Sequence, residues 1–172
     1  ELQEMRGWRE AALQLEQKNS RLRALNKVKL GKSLTWVTGE IIADISSPFT
    51  QSCLINRGRI DGIADGAAVV DGLGLIGRVS GVEEKISRVV FASDVSSFIP
   101  AIIEPSNQEA VVRGDNSLAP KLEFIKSAKR FEIGSRVLTS GKGGLFPEGI
   151  LIGKTIIGPK KKLRVQLSAS FN

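Results

Sequence analysis

From residue 36 onward, apolar residues come in short runs rich in Val, Ile and Leu, interrupted at close intervals by Gly, Pro and Asp-Gly pairs. Such runs predict strands, because β-branched side chains suit a pleated, half-buried surface. The pattern places strands at 36–44, 50–56, 67–71, 75–82, 87–92 and 98–103. A second series follows at 109–113, 122–126, 136–139, 150–157 and 163–167. Residues 83–85 are short enough to be a hairpin turn. Pro105, Ser106 and Asn107 stand between the two series and read as the border between a first module, 36–104, and a second, 105–172. The spacing is that of small all-β barrels and not of an α/β enzyme.

Asp61-Gly62, Asp65-Gly66 and Asp71-Gly72 each suit a tight turn, since Gly takes a positive φ without steric cost. Gly62, Gly66, Gly74, Gly77, Gly141 and Gly149 are the candidate structural turn positions. They also frame a weak internal repeat. Gly66-x-x-Val69-Val70 leads to Gly74-Leu75-Ile76-Gly77-Arg78-Val79, and Gly134-x-x-Val137-Leu138 leads to Gly149-Ile150-Leu151-Ile152-Gly153-Lys154-Thr155. The second copy carries an insertion over 142–148.

Residues 1–32 follow another rule. They are rich in Glu, Gln, Arg, Leu and Ala, which are good helix formers. Met5, Trp8, Ala12, Leu15, Asn19, Leu22 and Asn26 alternate steps of three and four, the spacing of a heptad seam. The first six are the candidate dimerisation residues, with Asn19 placed to fix the register of two helices. The predicted coiled-coil helix is roughly 40–45 Å long at about 1.5 Å per residue. Its flanks are mixed: Glu4 suits Arg9 of a parallel partner, whereas Lys18 would face Arg23. A surface helix packed on a barrel is the other reading of this stripe.

Composition then removes whole classes of chemistry. There is no histidine and one cysteine. Ser-His-Asp and Cys-His sites are excluded, as are His-ligated and Cys-rich metal centres. With no His and one Cys, no hydrolase activity and no metal are expected, and the motifs weighed below offer no cofactor site. By strand alternation Cys53 shares a face with Phe49 and Ile55, a small buried hydrophobe. No apolar run is long enough to span a bilayer. The chain begins at Glu1 and is expected to be a fragment, from which a signal or anchor would already be missing.

The remaining motifs weigh little. Gly72-Leu73-Gly74-Leu75-Ile76-Gly77, with Asp94 further on, fits the dinucleotide fingerprint in letters. That fingerprint needs a helix after it, and Arg78-Val79-Ser80 reads as strand. Gly31-Lys32-Ser33 and Gly141-Lys142-Gly143-Gly144 are incomplete phosphate loops. Ser140 beside Lys142 or Lys154 is formally a Ser-Lys pair, but a loop Ser next to Gly is ordinary turn chemistry. Lys160-Lys161-Lys162, after Gly158-Pro159, reads as a solvated hairpin loop. With no Tyr and Phe thinly spread, no base-stacking platform is available, so nucleic acid is not an expected partner.

Several pieces in fixed order carry a resemblance. They are the helix ending near Leu30, Ile55-Asn56-Arg57-Gly58-x-x-x-Gly62, Val69-Val70-x-x-x-Gly74-Leu75-Ile76-Gly77-Arg78-Val79, Ser87-x-Val89 with Ser93-Asp94, and Val137-Leu138-Thr139-Ser140-Gly141 leading to Phe146-Pro147-x-Gly149. Together they resemble the extracytoplasmic part of the rod-shape-determining MreC family, with Lys154-Thr155 a small departure. The resemblance implies a fold that is mainly β, with an N-terminal α-helix forming a coiled coil and then two small six-stranded-type β-barrels. It implies a non-catalytic scaffold of the bacterial cell-wall elongation machinery that maintains rod shape. The implied partners are a second copy as homodimer or filament, the MreD and MreB system, and the elongation penicillin-binding transpeptidase. The implied place is the periplasmic side of the inner membrane, held by a single-pass segment absent from this chain. The alternative class is a periplasmic adaptor subunit of an efflux or secretion pump, which also joins helix to β modules but normally shows two helical segments.

Overall fold

The computed structural model describes Gln14, residues 34–125 and residues 132–169. The heptad residues Met5, Trp8, Ala12, Leu15, Asn19 and Leu22 lie outside the described residues; Gln14 is helical. The chain divides into two units, Glu1–Trp36 and Val37–Asn172. All the strands described here belong to the second.

β1 (Ile41–Asp44), β2 (Ser52–Ile55), β3 (Ala68–Val70), β4 (Leu75–Val82) and β5 (Ser87–Phe91) form an antiparallel sheet in the order β1-β2-β5-β4-β3. β6 (Phe98–Ile103), β7 (Gln108–Arg113), β8 (Lys121–Glu123), β9 (Arg136–Thr139), β10 (Leu151–Ile157) and β11 (Leu163–Leu167) close into a barrel in the order β10-β11-β8-β7-β6-β9. One expected six-stranded barrel is therefore a barrel, and the other is a five-stranded open sheet.

The difference comes from β6. By turn spacing, 98–103 belongs to the first module with the border after residue 104. Instead, Pro105, Ser106 and Asn107 turn the chain within the barrel, and β6 pairs β7 from Phe98↔Arg113 to Ile103↔Gln108. Its other edge pairs β9, with Ile103 opposite Val137. A turn signal reports a local reversal, and it carries no information on which distant strand completes the sheet. The two sheets part at residues 92–97. Pro100 fits mid-strand because its ring nitrogen lies where the β9 ladder ends, and its carbonyl accepts from Ser140 N at 3.0 Å.

Strand alternation sets the core. In β6, Ile99, Ala101 and Ile103 point in, while Phe98, Pro100 and Ile102 point out. The inward set joins Val112, Leu122, Val137, Phe146, Ile152 and Val165. Each fully buried Ile contributes roughly 1.5–3 kcal/mol. Leu75 of the open sheet and Ala92, the residue after β5, enter this same cluster, and Ala68 and Val70 of β3 pack against it. The sheet keeps only a small cluster of its own, Cys53, Val89 and Phe91, with Ile55, Val69 and Ile76 packed on it. Phe49 does not share the Cys53 face. It precedes β2 in a turn closed by Ser47 and Thr50 and is 81% exposed.

The internal repeat has a structural counterpart in hydrogen bonds. Gly66 N donates to Val79 O at 2.9 Å, and Gly134 N to Thr155 O at 2.8 Å. Val79 N returns to Ala67 O at 2.8 Å, and Thr155 N to Ser135 O at 2.9 Å. A Cβ at Gly77 would collide with the Val90 carbonyl, and one at Gly153 with the Gln166 carbonyl. Gly77 is therefore no turn residue, since it sits inside β4 where another backbone crosses close by. Gly74 ends the Asp71 turn, its N–H bonded to Asp71 Oδ1 at 2.8 Å. Gly62, Gly66, Gly141 and Gly149 occupy turns at φ 82°, 82°, 67° and 87°.

Candidate functional site

The reactive-looking residues are not assembled for chemistry. Ser140 Oγ accepts from the backbone N–H of Lys142 at 3.3 Å, while the Lys142 ammonium is engaged by Glu109. Lys154 is exposed on β10. Gly77 and its neighbours continue as a strand, so no helix N-terminus faces the 72–77 glycines. Cys53 is 1% exposed, and burial first, then the Asp44 charge, pushes its thiol up to about 11. A neutral, buried thiol is not a nucleophile. Among the described residues no group of three His, Cys, Asp or Glu is placed to hold a metal ion.

The most organised polar site joins the sheet to the barrel. Asp94 is 2% exposed. Its Oδ2 accepts from Gln51 N at 2.6 Å, and its Oδ1 from Ser96 N at 2.7 Å and Ser96 Oγ at 2.5 Å. Burial raises its pKa. The Ser96 hydroxyl, the Gln51 and Ser96 amides and the Arg88 charge together outweigh that and hold it below its ordinary value. The barrel grips the same turn. Gly114 N donates to Ser97 O at 3.0 Å and Asn116 N to Ser93 O at 2.7 Å. Asn116 Nδ2 reaches Pro48 O at 3.0 Å, so one loop touches both sides. Gly114 has no room for a Cβ, which would strike the Asp94 carbonyl. A second clamp fixes that loop to β11: Arg164 Nη1 donates to Asp115 Oδ2 at 2.8 Å and Ala119 O at 2.7 Å.

The outer barrel face is apolar at its centre and charged at its rim. Pro100 stands opposite Val111, and Ile102 opposite Leu138. Arg113 lies over the Phe98 ring at 5.2 Å. Around them run the pairs Arg113–Glu123 at 3.8 Å, Arg136–Glu104 at 3.4 Å, and Lys142–Glu109. A cleft of about 380 Å³ beside it is lined by Glu104, Pro105, Glu132, Ile133 and Arg136. No helix among the described residues is long and apolar enough to cross a membrane.

Sequence reading found the residues Ser93 and Asp94 but not their role. The Gln51, Gly114 and Asn116 partners were missed, because nothing local joins positions so far apart in the chain.

The described strands thus form a β unit used twice, joined at a clamped junction. The family model described as rod shape-determining protein MreC, barrel core, matches residues 41–172. The chain belongs to the MreC family of cell shape-determining proteins, a structural family and not an enzyme family. It is 53% identical to the cell shape-determining protein MreC of Cereibacter sphaeroides over 171 residues, covering 99% of this chain and 57% of that protein. The chain spans about half the length of the curated relatives it matches. The crystal structure of MreC from Pseudomonas aeruginosa superposes with a TM-score of 0.70 at 26% identity, over 78% of this chain and 91% of that one. A complex between a penicillin-binding protein and MreC from Helicobacter pylori contains the same fold, with a TM-score of 0.61 at 19% identity, over 80% and 88% of the two chains.

Proposed function

We propose that this chain is the periplasmic part of a scaffold in the cell-wall elongation machinery. In this reading it couples the MreB and MreD system to the elongation penicillin-binding transpeptidase, associates with itself, and is tethered to the inner membrane by a single-pass segment outside this sequence. The observation that carries the reading is the family match over 41–172 together with the 53% identical relative. The family match leaves the pump-adaptor alternative without support. The transpeptidase partner is supported by the related complex from Helicobacter pylori, in which a penicillin-binding protein is bound. The test is crosslinked recovery of the full-length protein from growing rod-shaped cells. The transpeptidase is expected among the captured partners, and depletion is expected to round the cells. Normal rods after depletion would overturn the reading.

In this reading self-association runs through residues 1–32, which the sequence predicts to be a coiled-coil helix. Leu15 and Leu22 are the central seam residues of its heptad. Leu15→Asp with Leu22→Asp removes two apolar contacts from each of two chains, on the order of several kcal/mol, or about a thousandfold in dissociation constant. Analytical ultracentrifugation should find the double variant monomeric at micromolar concentration with the melt of 37–172 unchanged. A variant that stays dimeric would move the interface to the β strands.

A further inference from the structure

The three lysines at 160–162 take no part in the function proposed above. They form the β10–β11 hairpin tip, at the end of the barrel away from the five-stranded sheet. The near end carries the loops after β7 and β9, with Gly114 against Asp94 and the Leu151 carbonyl against Gly74. The far end carries the β6–β7 turn, the end of β8, the start of β9 and the lysine tip.

Two kinds of side chain meet there. Lys160, Lys161 and Lys162 are all exposed, and none enters the ion pairs found among the described residues. Among the described acids at this end, Glu104, Glu109 and Glu123 are paired with Arg136, Lys142 and Arg113, and Glu132 enters no ion pair with a described residue. Lys160 and Lys161 hold φ of 57° and 56°, a left-handed pair that Gly or Asn would adopt at lower cost. Beside the lysines, Ile157 ends β10 and is 58% exposed. Ile133 is 55% exposed and flanks the same strand end, since Gly134 N bonds Thr155 O and Thr155 Oγ1 bonds Glu132 O. Phe124 is 76% exposed. It follows β8, whose Lys121 stands opposite Arg164, so the antiparallel run leads it toward the tip.

A soluble polyanion would engage the lysines and leave the three apolar side chains in water. A bilayer interface uses both, with lysines on headgroup phosphates and Phe and Ile at the acyl boundary. We propose that this end of the barrel docks on a bilayer surface carrying anionic phospholipid. Lys160, Lys161 and Lys162 meet the phosphates, and Phe124, Ile133 and Ile157 enter the headgroup layer.

The test is co-sedimentation of the whole chain with vesicles of phosphatidylglycerol and phosphatidylcholine, against phosphatidylcholine alone. Binding is expected only with phosphatidylglycerol and is expected to weaken with salt. Lys160→Ala, Lys161→Ala and Lys162→Ala together should weaken it about a hundredfold, on the order of fivefold per lysine. Ile157→Ser with Phe124→Ser should weaken it at unchanged net charge. Lys160→Gly with Lys161→Gly removes two charges while relieving the left-handed strain, so it should bind less yet melt no lower than wild type. That variant separates binding from folding. No binding to phosphatidylglycerol, or wild-type binding by the triple lysine variant, would overturn the proposal. Unchanged binding by the Ile157, Phe124 variant, with dextran sulfate displacing the protein from vesicles, would replace it with a polyanion site.

Discussion

The three strands β3, β4 and β5 of the open sheet and the three strands β9, β10 and β11 of the barrel are the same unit in different surroundings. Gly66 and Gly134 open them, Gly77 and Gly153 admit a crossing backbone, and Ala92 N and Ser168 N close on Ile76 O and Ile152 O at 2.8 and 3.0 Å. What differs is the free edge. β9 finds β6, and through β7 and β8 the ring closes. Among the described residues β3 has no strand partner beyond β4, and its Ala68 and Val70 lean on the barrel's cluster instead. One motif thus yields a closed wall or an open one, depending on who owns the strand at the border. The open copy depends on the closed one for part of its core.

That dependence is the first thing to break. A chain ending at Asp94 should lose cooperative melting, because Leu75 and Ala92 would face water instead of the shared cluster. Calorimetry showing a two-state transition for that chain would mean that the sheet is self-sufficient. Next in size are Gly77→Ala and Gly153→Ala, each of which drives a Cβ into a carbonyl. Both should cost about 3 kcal/mol, near the upper end for overpacking, and lower Tm by about 6–12 °C in a chain of this size. A large loss at Gly153 with none at Gly77 would end the equivalence of the two units.

Asp94→Asn comes third, at about 1–3 kcal/mol for disturbing a buried charge-assisted site. Its sign follows from the lowered pKa of Asp94. The stabilisation is present above the unfolded carboxyl value of about 3.9 and is lost as pH falls through the lower folded value. Wild type should therefore lose stability on acidification below about pH 4, and the Asn variant should show less of that loss in urea midpoints taken across pH. An unchanged acid limb would remove Asp94 as its source. The smallest effect belongs to Lys142→Ala on the exposed Glu109 pair. A change within about 0.5 kcal/mol is expected, and a larger one in denaturant titration would promote that rim pair to a structural role.

Local features of this fold were legible in the sequence. Glu83 N bonds Ile86 O at 2.9 Å across the hairpin that three residues predicted. The β-branched runs became strands, often trimmed at their ends, as at 36–44, of which only Ile41–Asp44 pairs. Long-range features were not legible. Pro105 marks a reversal inside the barrel, although in the sequence it reads as a border. Gly77 looked like a turn glycine because a close backbone crossing leaves the same letter as a positive φ. The Asp94 junction could not be read, since its distant partners lie on two other segments, 48–51 and 114–116, that meet it only in the folded chain.

The gripped turn at 93–97 has a mechanical meaning. A single covalent strand joins sheet to barrel there, yet Gln51, Gly114 and Asn116 brace it from both sides. Load applied to one wall should therefore pass to the other as bending of a stiff strut and not as rotation about a swivel. A pull on either wall would then be felt at the other with its direction kept.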